Sequence, residues 1–352
     1  MIEQNIKLAS EIIARANTNK QKLISTPTML SPEEQQMLYL LAKDYYTGEG
    51  AIFDSGICLG GCTESFARGL AARDSVPPTR PIIYAYELGI ADEDYVTEFI
   101  SNKYNEKRHK GESFVDIIQK NIEAMPCQET IHFLPGDILE QPYPESIEIM
   151  FLDVCKTQEI NFKMQQLFSR LIPGKSIVIQ QDYVHAWHPY IHTTMGYLAD
   201  YFEPVGHVEY SSFLFLLKKK IPQEILDVDI YSTASVAKLE EYLMRHFSYF
   251  EALHRNHLET TRAMLFFEKG EKNKCSEILS SVSKQSQLPW DFSNICKHLD
   301  CSGILSKQTF AHKIGNQTTT NMSTFSHVKR MVKETPVIGP IAAKVWNIFK
   351  GN

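Results

Sequence analysis

Four carboxylates recur at one kind of position in this chain: Asp54 follows the run AIF, Glu87 closes PIIYAYE, Asp137 follows HFLPG, and Asp153 closes IEIMFLD. Each run is short, apolar and rich in β-formers, the pattern of a buried strand. In an open α/β sheet ligands bind outside the carboxyl ends of the strands, so acids placed there converge on one crevice. Beside the first acid, the loop in "AIFDSGICLGGCTESFARGL" leads into a helix starting near Thr63. Glycines there let the backbone approach a ligand, and a helix N-terminus presents free N–H groups. The spacing Asp54, Gly56, Gly60 is D-x-G-x-x-x-G. It matches neither the Gly-Lys-Ser/Thr phosphate loop nor the G-x-G-x-x-G fingerprint, so a ligand cradle and a plain tight turn both remain open on this loop alone. An acid after the second strand is placed to accept two ribose hydroxyls, and one after the third to meet an adenine amino group.

A second group of chemical residues follows the fifth strand, in "QQDYVHAWHPYIHTTMGYL", with Asp182, His185, His188 and His192. Histidine titrates near neutrality and suits a general base. The same side chains beside a Trp and a Pro also suit hydrogen-bonded loop and helix-cap positions, and His192 is expected to start the next helix. The seven cysteines are odd in number and scattered, as reduced thiols are. Cys58 and Cys62 are spaced C-x3-C while Cys296 and Cys301 are C-x4-C, which is not the pairing of a zinc ribbon. Cys58 is expected to pack under its loop.

The elements that must position these groups are legible. Apolar spacing from Met1 to about Asn19 predicts an amphipathic helix. In "LSPEEQQMLYLLAKDYYTGEG", Ser31 is an N-cap, Pro32 suits the first helical position and Ser31 with Glu34 has capping-box spacing; Gly48 and Gly50 stop the helix. Strands are expected at AIFDS, PIIYAYE, TIHFLPG, IEIMFLD, SIVIQQD and, as a hairpin, VGHVEYS with SFLFLLKKK. Helices are expected at Thr63–Arg73, Asp92–Tyr104, Gly111–Ala124, Ile160–Leu171 and His192–Phe202. Strands alternating with helices imply right-handed crossovers and a mostly parallel sheet covered on both faces, a Rossmann-like α/β fold. Past Pro222 the pattern turns helical: residues 235–255 and 258–283 read as three helices, the last two joined at Gly270. One helical hairpin does not make a repeat array.

The chain has 352 residues and a formal net charge of −6, without the clustered Lys and Arg of a nucleic-acid binder. The N-terminus lacks the order of a signal peptide and no window reaches 18 consecutive apolar residues, so a cytoplasmic protein without a transmembrane segment is expected. The expected organisation is an N-terminal helical cap (1–50), an α/β domain (51–221), a helical appendage (222–305), and a polar linker with a basic amphipathic tail (306–352). Residues 327–350 mix Lys329, Arg330, Lys333, Lys344 and Lys350 with apolar residues. Such a segment can pack as a terminal helix, lie on an anionic membrane surface or dock on a partner.

Taken in order, "GAIFDSGICLGGCTESFARGL", "YELGIADE", "PGDI", "FLDVCKT" and "LIPGKSIVIQQDY" resemble the class I S-adenosylmethionine-dependent methyltransferases, most closely a small-molecule and sugar O-methyltransferase-like branch. The resemblance runs from about Met29 to Pro222 and rests on the order of the set. It implies a seven-stranded sheet with a reversed last strand and S-adenosylmethionine as cofactor. It places Asp54 near the methionine amino group, Gly56 and Gly60 in the first cofactor loop, Glu87 on the ribose, and Asp137 with Ile138 at the adenine. Asp153 would face the methyl group and the acceptor, with His185 or His188 as general base and a small-molecule or glycan hydroxyl as acceptor. Some related enzymes hold Mg²⁺ with acids after the fourth and fifth strands, which here are Asp153 and Asp182, although Cys155 and Tyr183 replace residues usual beside them. Two other readings share the sheet: a non-catalytic binding module of the same shape, and a nicotinamide-dependent oxidoreductase, whose glycine loop this chain lacks.

Overall fold

A computed structural model describes residues 2–19, 21–74, 81–208, 211–299 and 301. The expected linker and basic tail at 306–352 lie outside the described residues. Helix α1 covers Ile2–Thr18 and α2 Pro32–Leu40, continued by a π-helical turn at Leu41–Tyr45. There follow β1 (Ala51–Ser55), α3 (Gly61–Ala71), β2 (Ile83–Glu87), α4 (Asp94–Tyr104), α5 (Val115–Glu123), β3 (Ile131–Pro135), β4 (Ile147–Leu152), α6 (Gln158–Leu167), β5 (Ile177–Gln180), α7 (Pro189–Tyr197), β6 (Phe202–Val208) and β7 (Ser212–Leu217). Helices α8 (Gln223–Leu226), α9 (Ile230–Thr233), α10 (Val236–Met244), α11 (Ala252–Glu268), α12 (Lys272–Val282) and α13 (Phe292–His298) complete the described chain.

The strands form one seven-stranded sheet in the order β3-β2-β1-β4-β5-β7-β6. The pairs among β3, β2, β1, β4 and β5 are parallel, and β7 runs antiparallel to both β5 and β6. This is the expected Rossmann-like sheet with its last strand reversed. By contacts the chain divides into two units, residues 1–88 with 119–305, and a second whose described part is 89–118. The whole sheet belongs to the first. Within the second, Ile90 bridges Ser113, and Arg108 pairs with Glu106 and Asp116.

Alternation along the strands sorts their side chains to two faces. On one, Phe151 of β4 meets Phe66 of α3, with ring centroids 6.5 Å apart. On the other, Phe53, Met150, Leu152, Val178, Phe213 and Phe215 share a core cluster with Met164 and Leu167 of α6. That cluster also takes in Leu226, Tyr231, Leu239, Leu243 and Leu258, so helices α8 to α11 join the sheet's own core. A separate cluster links α11, α12 and α13 through Met264, Phe266, Leu279 and Phe292. Gly270, between α11 and α12, has a φ of 82°, the left-handed turn that a glycine permits.

The local signals at α2 are realised in full. Ser31 Oγ accepts the Glu34 N–H at 3.1 Å and the Glu34 carboxylate accepts the Ser31 N–H at 2.9 Å. Several expected boundaries move: α5 begins at Val115 rather than Gly111, and the helix expected over 235–255 ends at Met244, with α11 starting at Ala252. The helix after β5 begins at Pro189 rather than His192, because proline fits the first helical turn, and it ends before Phe202, which opens β6. Among the described residues no helix is long and apolar enough to cross a membrane.

Candidate functional site

Register brings the acids together. Ser55 pairs with both Tyr86 and Leu152, Glu87 with Pro135, and Leu152 with Gln180. Gly56, Glu87, Gly136, Asp153 and Gln181 therefore leave the sheet along one edge. Gly56 holds the two central turns in contact: a Cβ built there would lie 2.4 Å from the Asp153 carbonyl oxygen, and its φ is 78°. Only glycine meets both conditions without displacement.

Between β1 and α3 every second residue is left-handed, with φ of 78° at Gly56, 50° at Cys58 and 95° at Gly60. Cys58 is thus a side-chain-bearing residue in a glycine conformation, a local strain held by its neighbours. The loop's amides are largely committed: Gly56 and Ile57 donate to the Tyr86 carbonyl and Gly60 to that of Ile57. Cys58 N donates to the Glu87 carboxylate at 2.6 Å, tying the first loop to the end of the second strand.

Asp54 is fully buried under this loop. Thr63 of α3 donates to one of its oxygens at 2.6 Å, and the other, Oδ1, has no hydrogen-bond partner. Burial pushes its pKa up to about 7, against the opposing hydrogen bond of Thr63. Burial likewise raises the thiols of Cys58 and Cys62, so neither is an activated nucleophile. Asp137 is exposed and caps a short 3-10 turn, its Oδ1 accepting the Leu139 N–H at 2.9 Å. Ile138, next to it, is buried.

The fourth- and fifth-strand acids meet through a residue that sequence reasoning did not single out. Lys156 lies three residues beyond Asp153, its Nζ 2.8 Å from Asp153 Oδ1 and in contact with Asp182 Oδ2. Burial raises the Asp153 carboxyl despite the pull of Lys156, and Asp182 adds to the rise. Burial works against the charge of Asp182 too, but Lys156, then His185 and His188, outweigh it and hold that carboxyl well below the usual range.

His188 joins this group, its Nε2 4.0 Å from Asp182 Oδ2 and its Nδ1 2.8 Å from the Tyr190 hydroxyl. Burial lowers its pKa to about 4, so its ring is neutral near neutral pH and has a lone pair to offer. His185 stacks on it at 5.8 Å and keeps a buried Nδ1 without a hydrogen-bond partner. His192 departs to the core, 1 % exposed and 4.1 Å from the Tyr183 ring. Tyr183 itself turns inward, its hydroxyl 2.8 Å from His246 Nδ1 and its ring stacked on Phe213. The physical reason is the aromatic cluster in which His246 and Phe250, between α10 and α11, pack on Tyr183 and on Phe213 and Phe215 of β7.

Two groups can be tested against these residues. The buried, half-satisfied Asp54, the left-handed glycine loop and Glu87 at the next strand end fit an adenosyl cofactor: Glu87, a carboxylate with several acceptor positions, can hold a ribose diol. A hard divalent ion does not fit. It needs about six oxygen ligands, whereas Asp153 and Asp182 already share an ammonium, Tyr183 is in the core and Cys155 is buried and soft. Among the described residues no group of three His, Cys, Asp or Glu has metal-holding geometry. Compared with known proteins, the chain matches no family model and no curated sequence.

Proposed function

We propose that this protein is an S-adenosylmethionine-dependent methyltransferase that methylates a hydroxyl of a sugar, glycan precursor or small metabolite. One observation carries the reading: the loop of Gly56, Cys58 and Gly60 is tied by the Cys58 N–H to Glu87, at the sheet edge where Asp153 also emerges. A cofactor along that edge would have Gly56 and Gly60 beneath it, Glu87 at its ribose, and Asp137 with Ile138 at its adenine. It would supply an electrophilic methyl group on a sulfonium.

The chain's own residues then have two tasks. They hold the acceptor oxygen in line, and they take its proton as the oxygen–carbon bond forms. Asp153, raised toward neutrality by burial, and His188, neutral with one ring nitrogen bound to Tyr190, are the two bases in place. His185 stacks on the His188 ring, with centroids 5.8 Å apart.

Isothermal titration with S-adenosylhomocysteine tests the reading. Binding in the micromolar range is expected, and no detectable binding sinks it in favour of a binding module on the same sheet. Glu87→Ala should then weaken binding at least tenfold, since it removes a charged acceptor of two hydroxyls worth about 1.5–3 kcal/mol. Unchanged affinity would show that Glu87 does not meet the ribose.

A further inference from the structure

We propose that Lys156 is a built-in counter-cation that takes the place of a divalent ion between Asp153 and Asp182, so that the two carboxylates share a positive charge without metal. The inference stands on the side chains themselves and does not rest on the methyltransferase reading.

Two carboxylates at the ends of adjacent strands, β4 and β5, face each other across a few ångströms, and such a pair repels unless a cation lies between them. Lys156 fills that place, touching one oxygen of each. Its ammonium folds back to this position although the residue is exposed, and it does so against a local cost. Thr157, the next residue, caps α6 by accepting the Ile160 N–H at 3.2 Å, so Lys156 sits at the positive end of that helix, where a cation is disfavoured. Only the two carboxylates offset this. The remaining neighbours do not complete an oxygen cage. Cys155 offers a buried sulfur, Tyr183 is turned to His246, and a nitrogen of the His188 ring stands 4.0 Å from Asp182. A lysine brings one charge and three donors, which two carboxylates satisfy; a divalent ion would want several more oxygens.

The test is Mn²⁺ binding at about pH 8, read from the loss of the free aqueous ion's electron paramagnetic resonance signal. The wild-type protein should leave that signal unchanged up to millimolar ion. Lys156→Met, which keeps the stem and removes the charge, should gain one site with a dissociation constant near 1 mM, the weak range of oxygen sites with few ligands. Adding Asp182→Asn to that variant should abolish it. A folded Lys156→Met protein that binds no Mn²⁺ refutes the proposal, because the acids would then not form a cation site. So does a wild type that binds Mn²⁺ and loses it with Asp182→Asn. If Lys156→Met does not fold, Lys156→Arg carries the test: it keeps the charge and should fold and still refuse Mn²⁺, and binding by that variant overturns the assignment.

Discussion

Gly56→Ala should be the most damaging single-methyl change at the sheet edge, and the structure lets its cost be divided. The added carbon would meet the backbone oxygen of Asp153 at 2.4 Å and its carbonyl carbon at 2.7 Å, neither of which can rotate away. It would also force a side chain onto a φ of 78°. Left-handed backbone costs a non-glycine residue about 1–2 kcal/mol, and overpacking a filled site about 1–3 kcal/mol more, so a loss of roughly 3 kcal/mol is expected. Gly48→Ala separates the two contributions, because Gly48 has a φ of 91° and nothing within 4 Å of the added carbon. It should lose only the backbone part, about 1 kcal/mol. Urea unfolding followed by tryptophan fluorescence measures both, with stability compared at an unchanged denaturant slope. Equal losses in the two variants would refute the argument that Gly56 is there to let the first and fourth turns touch. Gly56→Ala should also lower S-adenosylhomocysteine affinity while Gly48→Ala leaves it alone.

Glu64 accepts the N–H groups of Ser25 and Thr26 and pairs with Arg68, and although burial opposes its charge these bonds lower its pKa from 4.5 to about 2. A depressed folded value means its stabilisation, of the order of 3 kcal/mol, is complete above pH 4.5 and drains away as pH falls toward 2; Glu64→Gln should flatten that stretch of the stability curve, and an unchanged slope would refute the assignment. Glu148, fully buried in β4, accepts the backbone N–H groups of Thr47, Gly48, Glu49 and Gly50, so Glu148→Ala should cost about 3–5 kcal/mol in urea unfolding, and a loss under about 1 kcal/mol would contradict the anchoring role. His188, lowered from 6.5 to about 4, should keep a neutral-ring proton spectrum from neutral pH down to about pH 5, and a midpoint near 6.5 by nuclear magnetic resonance would show that it is not buried. The sign is the same as for Glu64: this histidine's contribution is present above pH 6.5 and is lost as pH falls toward 4, because the unfolded chain takes up the proton first.

Most of the sheet was legible because parallel strands buried on two faces are written as continuous apolar runs, and an acid placed just beyond each run has only one edge to occupy. Glu87, Asp137 and Asp153 could be placed at that edge from the runs alone, whereas Asp54 falls inside β1. Their finer positions could not, because they depend on partners that spacing does not reveal. Asp54 lies sealed under α3 against Thr63, and Asp137 spends an oxygen on its own turn. The start of α7 is written in Pro189, a stronger helix-start signal than His192. Tyr183 and His192 read as crevice residues, yet His246, 63 positions after Tyr183, draws the tyrosine into the core.

Lys156 shows what kind of residue escapes such reading. A lysine four positions past a strand, with an exposed stem, has the pattern of a solvated surface charge. Its role exists only because β4 and β5 are neighbours in register, which brings Asp182 within reach of a side chain fixed to the other strand's turn. The same closeness explains why an acid after each strand is a sound reason to expect a cation there without saying which cation it is. Two carboxylates at adjacent strand ends state a demand for positive charge, and they state it equally for a bound ion or a lysine. In this chain the fourth residue after β4, Lys156, brings a charge of its own to that place.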